Sequence, residues 1–251
     1  MAIAESDYIE AFMLAGKQLQ ACMDAASVSG FRWIKAQPAK PAFADLAFAI
    51  GQRIYAVILA GMTKQKTLAT GEQAACTFEI PKEQCELLRS ECERHRLIPA
   101  VFPLWTGIMQ PLTTGWNLFS LQDMAPLDPS ALPPHEQPEP MSEWELCNFR
   151  VSHVLRDLEA NKRRVRSAHD IPDIYPNIWF EDAAGHPAWV AVLPAESDTI
   201  PQAVKDVRQK LPQRVHGYLA RVGITHADRP GDTPMRDAPL FVNYKGLERL
   251  P

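Results

Sequence analysis

The chain has 251 residues, of which 46% are hydrophobic and 22% charged, and its formal net charge is −4. That length holds one large domain or two of about 100–150 residues, and its hydrophobic share supplies a packed core and excludes wholesale disorder. The acidic balance excludes a protein that coats nucleic acid through bulk charge, and no apolar run reaches the roughly 18–20 residues that a bilayer span needs.

The N-terminus, Met1-Ala-Ile-Ala-Glu-Ser-Asp7, lacks the basic start and apolar stretch of a signal peptide. Five cysteines (Cys22, Cys76, Cys85, Cys92 and Cys147) show no paired spacing, as expected of reduced thiols in a cytoplasm. The first predicted element is an amphipathic helix near 6–26, with Ile9, Phe12, Gly16, Leu19, Met23 and Ala26 stepping by threes and fours. A hairpin follows: Leu46-Ala-Phe-Ala-Ile50, a turn at Gly51-Gln52, then Arg53-Ile-Tyr-Ala-Val-Ile-Leu59. After an excursion at 61–79 ending in a candidate strand at 75–80, Pro81 opens a second helix to about 96. Strands at 97–104 and 116–121 close this half.

Residues 125–140 then hold six prolines in 16 positions, which argues against helix or central strand and marks a semi-rigid linker. Beyond it the order recurs. A helix over 142–164 starts on a Ser142/Glu145 capping box. A hairpin pairs Asn177-Ile-Trp-Phe-Glu181 with Pro187-Ala-Trp-Val-Ala-Val-Leu193, setting Phe180 against Phe48 and Trp189 against Tyr55 as matching places. A helix opens at Pro201, and strands at 215–224 and 240–244 end the chain. The expected architecture is α+β: two tandem α-β-β-α-β-β modules, 1–124 and 141–251, each a small mixed sheet flanked by helices.

This order, with its helix, hairpin, second helix and returning strand, resembles the core of the restriction-endonuclease-like PD-(D/E)XK superfamily. The resemblance implies a β-helix-β crossover in a mixed sheet with a helix on each face. In that family an acidic residue starts one hairpin strand and Glu/Asp-X-Lys lies in the next, where carboxylates hold a divalent metal and lysine steadies the attacking water. Asp45 and Pro172-Asp173 match the first motif, but the second strands read Tyr55-Ala-Val-Ile-Leu59 and Trp189-Val-Ala-Val-Leu193, with no carboxylate and no lysine. The resemblance therefore implies degenerate, non-cleaving copies, expected to need no cofactor.

Several groups carry candidate chemistry. His169, Asp170, Asp173, Glu181, Asp182 and His186 form the densest polar cluster, which reads as turn capping around the hairpin ahead of a metal site of mixed oxygen and nitrogen ligands. Cys85, Leu88, Cys92 and His95 share a helix face, as zinc ligands or as core. Lys162, Arg163, Arg164 and Arg166 form the only basic run, placed at a helix C-terminus. The halves are otherwise balanced, with 11 basic and 12 acidic residues in 1–124 and 15 of each in 141–251. Trp33, Trp105 and Trp116 fall in loops or strand ends, where interface anchors are common.

The sequence thus reads as a cytoplasmic, non-catalytic binding or adaptor protein of accessory or immunity type, contacting another protein and no membrane. One alternative is a metal-dependent nuclease or hydrolase built from Asp173, Glu181, Asp182 and His186. Another is a nucleic-acid-binding protein using Lys162, Arg163, Arg164 and Arg166.

Overall fold

Each half of the chain is organised around one buried β-strand that pairs antiparallel on one side and parallel on the other. The computed structural model describes residues 3–26, 30–35, 43–62, 80–131, 138–229 and 231–250. It is α+β and falls into two units that divide at 137/138. The first contains α1 (Tyr8–Ala26), β1 (Phe31–Lys35), β2 (Leu46–Ile50), β3 (Arg53–Met62), α2 (Lys82–His95), β4 (Ile98–Trp105), β5 (Gln110–Pro111), β6 (Leu118–Ser120) and β7 (Pro126–Leu127). The second contains α3 (Glu143–Ala160), β8 (Arg164–Ala168), β9 (Ile178–Glu181), β10 (Pro187–Pro194), α4 (Gln202–Lys210), β11 (His216–His226) and β12 (Leu240–Arg249).

The two sheets share one plan. Their principal strands run β1-β2-β3-β4-β6 and β8-β9-β10-β11-β12. In both, the first three strands pair antiparallel, the third and fourth are parallel across a helix, and the fifth returns antiparallel. The module is therefore α-β-β-β-α-β-β, with one strand more than expected before the crossover helix. The extra strands escape sequence patterning because they are edges, and edge strands carry charge and side chains open to solvent. Arg164-Val-Arg-Ser-Ala168 is such an edge, so the basic run divides: the Lys162 and Arg163 N–H groups close the end of α3 on the Glu159 and Leu158 carbonyls, with Lys162 at φ 57°, while Arg164 and Arg166 belong to the strand. The proline-rich stretch is also not all linker, because Pro126-Leu127 pairs with β6 and Pro140 bridges Met235. The candidate strand at 75–80 lies, apart from Ile80, outside the described residues.

Register corrects one internal match. Phe48 pairs with Tyr55, and Phe180 pairs with Ala188, so Tyr55 corresponds to Ala188 and not to Trp189. A one-residue offset moves a side chain to the other face of a sheet. Tyr55 accordingly lies in the core under α1, with Phe48, Val57, Leu59 and Phe102, whereas Trp189 lies with Val204 of α4. On the opposite face of the second sheet α3 covers Phe180, Val190 and Val192, so this sheet carries a helix on each side. The stripe of α1 is also rotated from expectation: Ala11 and Ala15 join Phe12, Leu19 and Met23 in the core, while Ile9 is 55% exposed. Small alanines let the helix approach the sheet closely, which a stripe of large residues alone does not reveal.

The Tyr55 ring stacks on Phe48 with centroids 5.0 Å apart, yet its buried hydroxyl has no hydrogen-bond partner among the described residues. Burial pushes this phenol up to about 12. Because an unsatisfied buried polar group costs about 1–3 kcal/mol, Tyr55→Phe is expected to leave stability unchanged or raise it by about 1 kcal/mol, measured by urea unfolding. A loss of that size would show that the hydroxyl is hydrogen-bonded.

Candidate functional site

The residue just before the first hairpin strand is Asp45 in one unit and Asn177 in the other. Each precedes the first hairpin strand and uses the same device. Asp45 N–H donates to the Val57 carbonyl, and its Oδ2 accepts from Leu59 N–H at 2.8 Å. Asn177 N–H donates to the Val190 carbonyl, and its Oδ1 accepts from Val192 N–H at 2.9 Å. Asn177, not Asp173, is thus the counterpart of Asp45; Asp173 lies four residues earlier, exposed, at φ 61°. Asp45 Oδ1 also accepts from the Tyr8 hydroxyl at 2.8 Å, tying α1 to the sheet. Burial and this carboxylate push the Tyr8 phenol well above its ordinary range.

On the second hairpin strand of each unit, Val57-Ile58-Leu59 and Val190-Ala191-Val192 are buried. These side chains hold no metal and move no proton. The side-chain oxygen that accepts from the adjacent N–H serves the backbone in both units, which explains why an amide replaces the carboxylate without changing the fold.

The remaining sequence candidates separate. Glu181 pairs with Arg164 and Arg166 across the β8–β9 edge, occupying two of the four basic residues. Asp170 is buried and accepts from Asn148 Nδ2 at 2.8 Å. Cys92 and His95 are buried in α2, His95 stacking on Phe43, and burial pushes the Cys92 thiol up to about 12, consistent with core packing. Trp33 is not in a loop: it stands in β1, edge-on to Phe48, and its Nε1 donates to Gln20 Oε1 at 2.8 Å. Trp105 ends β4, and Trp116 stacks on Phe48. All three are half-buried.

His169 is half-buried before β9, and desolvation lowers its pKa despite the Pro176 backbone and Asp170, which both raise it. An unfolded histidine takes its proton near pH 6.5; the folded one resists it. Stability from this group is therefore complete above about 6.5 and falls as pH drops below that value. His169→Asn is expected to flatten this part of the stability–pH curve, measured by denaturant midpoints between pH 5 and 8. An unchanged curve would assign the slope to other groups.

Two surface features remain. In the first unit a groove of 240 Å³ separates α1 from β1, lined by Phe12, Met13, Lys17, Gln20 and Trp33. Met13 is 51% exposed here. In the second unit the β9–β10 tip brings Asp182 and His186 beside His216, the first residue of β11. Asp182 Oδ1 accepts from the N–H groups of Ala184 and His186, each at 2.9 Å, and Gly185 at φ 79° closes the turn. Asp182 Oδ2 lies 2.8 Å from His216 Nδ1. Burial alone would raise this carboxyl, but the bonds from His186 N–H, His216 and Ala184 N–H hold it at about 2. Asp173 and Glu181 do not join this group, and His216 joins it from 34 residues beyond Asp182, a pairing that no local spacing signals. Only the parallel pairing of Ala188 with His216 brings it near.

No described helix is long and apolar enough to cross a membrane. A family model described as "Domain of unknown function (DUF8840)" matches residues 144–250, from the first turn of α3 to just past β12. No curated protein and no solved structure matches the chain.

Proposed function

We propose that this is a non-catalytic binding protein of the accessory or immunity kind, acting by contact with another protein and built on two degenerate PD-(D/E)XK-like cores. The observation that carries the reading is the doubled clamp: Asp45 and Asn177 both spend their side-chain oxygen on a backbone N–H, beside strands whose reactive positions are buried valine, leucine and alanine. The shared strand order and the parallel crossover support the core; the missing carboxylate and lysine support loss of cleavage. The groove beside Met13 and Trp33 offers the contact surface, with exposed apolar atoms and the Lys17 and Gln20 side chains at one place.

Two measurements test this. The full chain is expected to show no turnover of DNA or RNA with Mg²⁺ or Mn²⁺; turnover abolished by Asp182→Ala would overturn the reading in favour of a metal-dependent hydrolase. Capture of a specific host protein is expected to weaken at least tenfold in Met13→Asp and to persist in Phe241→Asp, whose side chain is exposed in the other unit. A salt-sensitive DNA shift lost on changing Lys162, Arg163, Arg164 and Arg166 to Gln would instead establish nucleic-acid binding.

A further inference from the structure

We propose that Asp182, His186 and His216 bind one divalent ion of the zinc, cobalt or nickel class, joining the β9–β10 tip to the start of β11. One ligand atom from each residue lies within 4.8 Å of the other two, and this is the one such group of three or more among the described residues. The two imidazoles stand 5.8 Å apart, centroid to centroid, at 76°, and Asp182 lies 3.7 Å from His186 Nδ1 and 2.8 Å from His216 Nδ1. Two imidazoles and a carboxylate suit borderline transition metals rather than magnesium or calcium, which prefer all-oxygen shells. Three protein ligands leave coordination positions open, and the His186 side chain is 60% exposed, so an ion can enter from solvent.

The backbone holds the set in place before any ion arrives. Asp182 N–H donates to the His186 carbonyl, setting the two residues opposite one another on the hairpin. Their side chains therefore emerge side by side. The first unit serves as an internal comparison. Its corresponding hairpin pair is Ile50 and Arg53, and the residue corresponding to His216 is Ile98. The fold forms there without a polar group at two of the three places, so the shared architecture does not require this cluster.

The test uses the full chain after chelator treatment, titrated with ZnCl₂, CoCl₂ or NiCl₂ at pH 7.5. One ion per chain is expected, with affinity at least tenfold weaker in His186→Ala and in Asp182→Ala, and unchanged in Asp173→Ala. His186 is exposed enough that its loss leaves folding intact, which circular dichroism verifies. The cobalt form is expected to show visible d–d bands without thiolate charge-transfer intensity. No saturable binding of any of the three ions, or binding unaltered by His186→Ala, would overturn the proposal. Loading without turnover leaves the binding-protein reading standing, whereas absence of loading removes only the metal site.

Discussion

Replacing Arg236 with methionine is expected to destabilise the second unit by about 3–5 kcal/mol. The Arg236 and Glu145 side chains are 2% and 1% exposed. Arg236 Nε donates to Glu145 Oε1 at 3.0 Å and Nη2 to Oε2 at 2.8 Å, while Nη1 reaches Glu139 at 2.7 Å. Around this fork, Arg236 N–H donates to the Glu139 carbonyl and Met141 N–H to that of Pro234, so the segment leading into β12 is fastened to the start of α3. Removing the guanidinium strands the Glu145 carboxylate without water or a countercharge, and that penalty sets the size of the loss. Arg236→Met combined with Glu145→Leu is expected to recover much of it, since an apolar pair tolerates burial. Recovery stops short by about 1 kcal/mol, because Glu145 also accepts from Ser142 N–H in the α3 capping box. Urea unfolding of the full chain checks both. A loss below about 1 kcal/mol in Arg236→Met would show that the pair is solvated.

Glu145 shows how far the sequence could be read. Its spacing from Ser142 identifies the capping box, because a cap is a local interaction over three residues. Arg236, 91 residues on, leaves no local trace. The same division runs through the fold. Hairpins and helices are legible from periodicity and turns, whereas β1 and β8 are hidden because an edge strand satisfies only one face and one ladder. The Tyr55–Trp189 match failed by one position, since the two hairpins differ in loop length: Gly51-Gln52 against Ala183-Ala184-Gly185. Of the candidate sites, the apolar strand Val190-Ala191-Val192 is plain in the sequence. The Asp182–His216 contact is not, because it depends on which strand lies parallel to β10.

The second large effect is expected at Gly217, where the backbone of β11 passes against the indole of Trp189, its register partner in β10. A Cβ placed on Gly217 would lie 2.7 Å from Trp189 Cζ2, 2.9 Å from Cε2 and 3.2 Å from Leu250 Cδ1. Trp189 is fully buried and cannot swing aside, so Gly217→Ala is expected to cost about 1–3 kcal/mol. The indole carries a liability of its own: its Nε1 is buried without a hydrogen-bond partner among the described residues. Trp189→Phe opens a void but removes that orphaned donor, so its net cost is expected to stay near 1–2 kcal/mol. In the double variant the alanine methyl occupies space the smaller ring vacates, and the two losses should fall short of their sum by about 1–2 kcal/mol. A double-mutant cycle from urea midpoints measures this coupling. Additivity within about 0.5 kcal/mol would mean that β11 shifts to accommodate the methyl and that the close approach of glycine to indole is not what sets the spacing of these central strands.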